Sequence, residues 1–281
     1  LEDFAMNIAV IGLGIIGGSF CKAIKKYTDH YVIGINRTMS TAQKALEEGA
    51  VDEIGSPQSL EKADLVILCM YPQADVEFIE QNGQYIKKGA IVTDAAGTKR
   101  AICPQLVELS KKFGFVFVGS HPMAGKEKNG FDVSDADLYK GASYIVVPCG
   151  ADQKYVDILS DFALSIGFGG VKLSTPEEHD RMIAFTSQLP HVLACAYVLS
   201  PSCPNHKGFS AGSYRDVSRV ANINSKLWSE LFLENKEPLV EELDILIENI
   251  TKISDAIKAD NIEKLKDLLE QGHKVKTDLG E

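Results

Sequence analysis

The sequence predicts an α/β domain on a doubly wound, mostly parallel sheet, followed by an all-helical domain. Three observations predict it. Short apolar runs alternate with helical patterns through residue 174, the signature of repeated βαβ units. A glycine-rich turn closes the first of these runs, where such sheets pass into their first helix. From Thr175 onward the strand signals stop and helix follows helix. We therefore place the two domains at 6–174 and 175–281.

Taken in order, residues 7–11 are an apolar run that ends at Gly12. Residues 19–26 read as helix, 31–35 as a second strand, and 41–49 as a helix with Gly49 as its stop. Residues 64–70 are continuously apolar, as in strands buried on both faces of a parallel sheet. A helix over 76–85, a strand over 91–93, a helix over 99–113 and strands over 116–118 and 144–147 complete the alternation. At the boundary Thr175 is a good N-cap, Pro176 suits the first helical position, and Glu178 stands three residues on. Residues 183–200 read as a buried helix interrupted by Gln188, Pro190 and His191, and a loop over 200–212 breaks the helical region. Helices over 239–259 and 262–272 follow, and the stretch before Met6 reads as a frayed or added terminus.

Composition narrows the function classes. A net charge of -10 argues against nucleic acid or an anionic membrane as a partner. An anionic substrate then needs a local basic pocket, so each arginine near a motif matters. The 6 cysteines form no C-x-x-C pair and several sit in apolar runs, which points to reduced, buried thiols and no metal site. With no signal peptide evident, the expected location is cytoplasmic.

The glycine turn is Gly12, Leu13, Gly14, Ile15, Ile16 and Gly17, a G-x-G-x-x-G pattern between a strand and a helix. In that context it is a dinucleotide-binding loop of the Rossmann type. Gly12 permits the tight turn, Gly14 lets backbone approach a pyrophosphate, and Gly17 lets helix and strand pack closely. At the end of the second strand stand Asn36, Arg37 and Thr38, where NAD sites usually carry an acidic residue for the ribose diol. No carboxylate there repels a 2′-phosphate and Arg37 can pair with one, so the pattern favours NADP over NAD.

Asp94-Ala-Ala-Gly-Thr-Lys99 leaves a strand at its ligand-facing end, which places Thr98 as a site hydroxyl and as a helix N-cap. His121, in Gly119-Ser-His-Pro-Met-Ala-Gly125, follows another short strand at the same edge. A histidine there is a candidate base beside a hydride acceptor. Alone, His191 in Gln188-Leu-Pro-His reads as a core or cap histidine, and Arg219 as a surface charge. Arg215 and Arg219 are four apart and can share a helical face.

These motifs resemble the prephenate and arogenate dehydrogenases of tyrosine biosynthesis over nearly the whole chain. The resemblance rests on the glycine loop, Thr93–Lys99, Gly119–Gly125 with Gly130, and Leu138-Tyr-Lys-Gly141 with Val147-Pro148. It continues in Ser187–His191, Arg215–Arg219 and Leu227–Asn235. It implies oxidative decarboxylation of a cyclohexadienyl substrate, prephenate or arogenate, with hydride passing to NAD(P). His121 would accept the C4 hydroxyl proton, and Thr98 replaces the family's serine beside the nicotinamide. Arg219, Arg215 and His191 would bind the substrate. It also implies a homodimer through the C-terminal helices, with the active site between the domains. Neither a chorismate mutase domain nor a regulatory domain is expected, while inhibition by tyrosine stays open. The rival readings are a 3-hydroxy acid dehydrogenase, which would use a catalytic lysine on a second-domain helix, and a non-catalytic dinucleotide sensor.

Overall fold

The computed structural model describes residues 5–280, so the reading of the terminus before Met6 falls mostly outside the described residues. Strands β1 (Asn7–Ile11), β2 (Tyr31–Ile35), β3 (Glu53–Ile54), β4 (Leu65–Leu68), β5 (Ile91–Asp94) and β6 (Val116–Phe117) form one six-stranded sheet. Its order is β3-β2-β1-β4-β5-β6 and every pairing is parallel. Successive residues of a strand point to opposite faces. Accordingly Ile8 and Val10 join one apolar core while Ala9 and Ile11 join the other. Helices α1 (Ile15–Tyr27) and α2 (Met39–Glu47) pack on the first face; α3 (Pro72–Asn82) and α4 (Cys103–Phe113) cover the second. Burying both faces is what makes β1 and β4 continuously apolar. The strand order reverses between β1 and β4, and a parallel sheet opens its ligand crevice at that point.

The strand expected over 116–118, with His121 beyond it, is two strands in different sheets. β6 ends the main sheet at Phe117, and β7 (Gly119–Pro122) starts a second sheet that contains His121. β7 pairs antiparallel with β8 (Ser143–Val147), which pairs parallel with β9 (Gly170–Leu173). Between them α5 (Gln153–Ser165) adds Val156, Leu159, Phe162 and Ala163 to the first core.

The helical region is α6 (Pro176–Ile183), α7 (Leu189–Val198), α8 (Gly212–Ser218), α9 (Ser225–Glu234), α10 (Lys236–Lys258) and α11 (Ile262–Asp278). Thr175 caps α6 by accepting the Glu178 N–H at 3.1 Å. α6 runs into α7 through a π turn, Ala184–Gln188. Pro190 explains the turn, because it lacks an N–H and clashes with the carbonyl four residues back. Its core is small: Ala184, Leu189 and Leu239, with Val192, Phe232, Leu243 and Leu246 packed against them.

Candidate active site

The glycine loop sits at the switch point. Gly12 has φ +91, and a Cβ there would lie 2.8 Å from the Cys69 carbonyl oxygen. A Cβ on Gly17 would lie 2.0 Å from the Gly12 carbonyl, so loop and helix pack without side chains between them. A Cβ on Gly14 would meet nothing within 4 Å. Gly14, Ile15 and Ile16 line a cavity of about 650 Å³. Gly14 begins α1 with no side-chain cap and no acidic residue in the first turn, which suits an anion at that helix end. The residues present thus fit a dinucleotide's pyrophosphate.

Asn36 braces this loop. Its Oδ1 accepts the Leu13 N–H at 2.9 Å and its Nδ2 donates to the Thr38 carbonyl at 3.1 Å. Arg37 and Thr38 are exposed beside it.

The opposite wall is Ala95, Ala96 and Gly97, held from behind by a buried ion pair. Lys99 Nζ donates to Asp94 at 2.5 Å, to the Ala96 carbonyl at 2.7 Å and to the Thr98 carbonyl at 3.2 Å. All three of its hydrogens are used within the loop. Asp94 also accepts the Ser120 N–H at 3.1 Å, which ties β5 to the residue before His121.

Thr98 is fully buried behind that wall, and its hydroxyl donates to Glu234 at 2.5 Å. Burial raises the Glu234 carboxyl above its ordinary value. The expectation that Thr98 caps a helix is corrected: α4 starts at Cys103 and its N-cap is Ile102. Residues 100–102 are turns, and the Lys99 and Arg100 N–H groups, in the turn that Thr98 was expected to cap, donate to the two oxygens of Asp180, each at 2.8 Å, about eighty residues away.

His121 lines the cavity, and its Nδ1 lies 3.0 Å from His179 Nε2. His179 Nδ1 in turn lies 2.7 Å from Asp180 Oδ1, with both side chains buried. Burial, first of all, pushes the His121 pKa well below the usual imidazole range; His179 and Lys99 add to it. His179 is lowered chiefly by burial as well. His191 on α7 also lines the cavity, donates from Nδ1 to the Ser187 carbonyl at 2.7 Å, and stacks on Trp228 at 3.7 Å.

Arg219 lines the cavity and is salt-bridged to Glu127, from the loop after Gly125. Arg215 does not join it. Its side chain is 78% exposed, lies 3.8 Å from Asp216, and is not part of the cavity wall. The Arg219 N–H still bonds the Arg215 carbonyl four residues back, so the two are separated by their side chains: Arg215 lies beside Asp216 in solvent, and Arg219 pairs with Glu127. The expected two-arginine pocket is therefore not formed within one chain.

His179, Asp180 and Glu127 are site residues outside the motifs singled out above, and Trp228 and Glu234 stand in the Leu227–Asn235 motif with no role assigned to them there. A signal existed for the first. His179 and Ile183 stand four apart on the apolar stripe of α6, and a histidine on such a stripe needs a partner.

Asp75, at the start of α3, is fully buried near this wall. Its Oδ1 accepts the Met70 N–H at 3.2 Å, while Oδ2 meets no partner among the described residues. Burial first, and then Asp94, raise its carboxyl well above the ordinary range. A raised carboxyl favours the fold below its unfolded value and loses that contribution as pH rises through the folded one. Asp75→Asn should therefore melt higher than the parent by a margin that widens from pH 5 to pH 8, at roughly 2–4 °C per kcal/mol relieved. Equal melting curves at both pH values would refute a charged burial cost at this position.

The prephenate dehydrogenase nucleotide-binding domain family matches residues 20–171, and the prephenate dehydrogenase dimerization domain family matches residues 175–271. The chain belongs to the prephenate dehydrogenase family. It is an NAD(P)-dependent dehydrogenase of that family. A cyclohexadienyl dehydrogenase of Zymomonas mobilis is 30% identical over 96% of this chain and 94% of its own. A prephenate dehydrogenase of Bacillus subtilis is 30% identical over 92% of this chain and 72% of its own. Among solved structures, the prephenate dehydrogenase from A. aeolicus, in complex with hydroxyphenyl propionate and NAD+, is 26% identical. It superposes with a TM-score of 0.87 over 99% of this chain and 100% of that one.

Proposed function

We propose that this chain converts prephenate to 4-hydroxyphenylpyruvate and carbon dioxide, with NADP+ as the preferred hydride acceptor. The observation that supports this most is one cavity lined by the glycine loop, His121, His191 and Arg219. The bound dinucleotide supplies an electrophilic ring carbon that accepts hydride from substrate C4. His121 takes the C4 hydroxyl proton, for which the neutral imidazole is required. The ring carboxylate leaves as carbon dioxide, and its bonding pair flows into the ring as it becomes aromatic. The proton on His121 returns to the resulting phenol oxygen. Arg219 holds a substrate carboxylate through its forked donors. His191, stacked flat on Trp228, offers a wall for the ring and a lone pair on Nε2. The Thr98 hydroxyl spends its hydrogen in the bond it donates to Glu234, which leaves it only acceptor lone pairs.

Arogenate is the alternative substrate, supported by the likeness to the Synechocystis arogenate dehydrogenase structure, 28% identical over 98% of this chain with a TM-score of 0.82. For the cofactor, Asn36 is spent on bracing the loop and the neighbouring Arg37 is exposed, with no carboxylate at positions 36 to 38. A homodimer through the helical domain is supported by its thin core and by exposed Ile245, Ile247, Ile250, Ile257 and Leu269. The six free thiols support a reducing, cytoplasmic setting. Among the described residues no helix is long and apolar enough to cross a membrane.

The test is turnover of prephenate and arogenate, each with NAD+ and NADP+, followed by absorbance of the reduced nicotinamide. Turnover of prephenate, faster with NADP+, is expected. Arg37→Ser should lower kcat/KM with NADP+ by about tenfold, one charge-assisted contact, and leave NAD+ unchanged. Silence with both substrates from folded, cofactor-binding protein would overturn the reading, and equal use of both cofactors would remove the NADP preference.

A further inference from the structure

An imidazole has two nitrogens, and only one that bears a lone pair and faces the substrate can act as a base. The hydrogen bonds behind His121 decide which nitrogen that is. The Asp180 carboxylate offers only lone pairs, so the 2.7 Å contact requires the hydrogen on His179 Nδ1. Burial outweighs the Asp180 carboxylate and lowers the His179 pKa, which favours the neutral ring. A neutral ring has one N–H, so His179 Nε2 carries a lone pair. That lone pair lies 3.0 Å from His121 Nδ1, which must then be the donor. His121 Nε2, the nitrogen left for the cavity, keeps its lone pair. Asp180 is itself fixed, because its oxygens hold the Lys99 and Arg100 N–H groups and its carbonyl accepts from Asn235 at 2.7 Å.

We propose that His179 and Asp180 are positioning residues that hold His121 in the Nδ1–H tautomer, so that Nε2 is the nitrogen that takes the substrate proton. The proposal rests on His121 being the proton acceptor. It adds that the base is set by a relay reaching into the helical domain, since β7 carries His121 while α6 carries both His179 and Asp180. Without an acceptor on Nδ1, His121 is free to put its hydrogen on Nε2, where it cannot accept.

The test uses the full chain labelled with 15N-histidine, with His121→Asn to identify the His121 signals. In the free wild-type protein, Nδ1 of His121 should be protonated and Nε2 bare. His179→Leu should mix the tautomers and lower kcat about tenfold, part of the roughly 10²–10⁴-fold worth of a general base, while KM for both substrates changes little. His179→Gln, whose carbonyl can still accept from Nδ1–H, should restore most of that loss. A wild-type His121 protonated on Nε2 would overturn the proposal. So would a folded Leu variant with unchanged tautomer and kcat. The tautomer is read without substrate, so it decides the matter even if the variants unfold. Failed turnover with the Nδ1–H tautomer intact would count against the proposed reaction and not against the relay.

Discussion

His121→Asn is expected to lower kcat by about 10²–10⁴-fold, the usual worth of a positioned general base, with little change in substrate KM. The substitution keeps the strand. His121 pairs across to Ile145 through backbone, and asparagine still offers polar atoms to His179. What it removes is a lone pair basic enough to take a proton. Near-normal turnover in the folded variant would remove His121 from the mechanism. The pH profile gives an independent check. Burial, His179 and Lys99 all disfavour the imidazolium, and Asp180 faces His179, not His121 itself. The base then stays neutral on going down from pH 7, and the acid limb of kcat/KM should break below about 6.5, the unperturbed histidine value. Stability must be followed beside it. With both histidines lowered in the fold, the unfolded chain binds more protons below about pH 6.5, so stability falls as pH falls through that window.

Much of the frame behind this prediction was legible in the chain. The 7–11 run and Gly12–Gly17 sit where they were read, because a strand buried on both faces must be apolar throughout and the loop must lack side chains at Gly12 and Gly17. The errors have physical sources. Residues 116–122 change sheets across the single residue Val118, and local apolar patterning cannot show a change of partner. α4 starts at Cys103, and the Lys99 and Arg100 N–H groups before it are taken by Asp180, a partner about eighty residues away that local sequence cannot show. α5 carries its own signal in Val156, Leu159, Phe162 and Ala163 at helical spacing. At the site, the motifs point to the side chains that line the cavity and not to what holds them from behind, even where the support, like Glu234, stands in a motif itself. Glu234 meets Thr98 across 136 residues, and nothing near either one announces the other.

Arg219→Ala should raise KM for the substrate by roughly tenfold to fiftyfold and leave kcat within a few-fold. A charge-assisted bond to a carboxylate contributes about 1.5–3 kcal/mol, or roughly 10–150-fold in affinity. Two features of this arginine pull the value to the lower half. Its side chain is 60% exposed, so solvent screens the contact. It also already holds a carboxylate, Glu127, so substrate binding exchanges one acid for another and gains only the difference. The loss should fall on KM because the side-chain carboxylate keeps its charge through the reaction, and a contact equal in ground and transition states does not change kcat. Arg219→Lys, with charge but no fork, should lie between parent and alanine. If kcat fell with KM unchanged, the guanidinium would instead be acting on the carboxylate that leaves. If neither moved, the substrate would lie away from α8 and its 3-10 turn, and the shared cavity would lose its claim to be the active site.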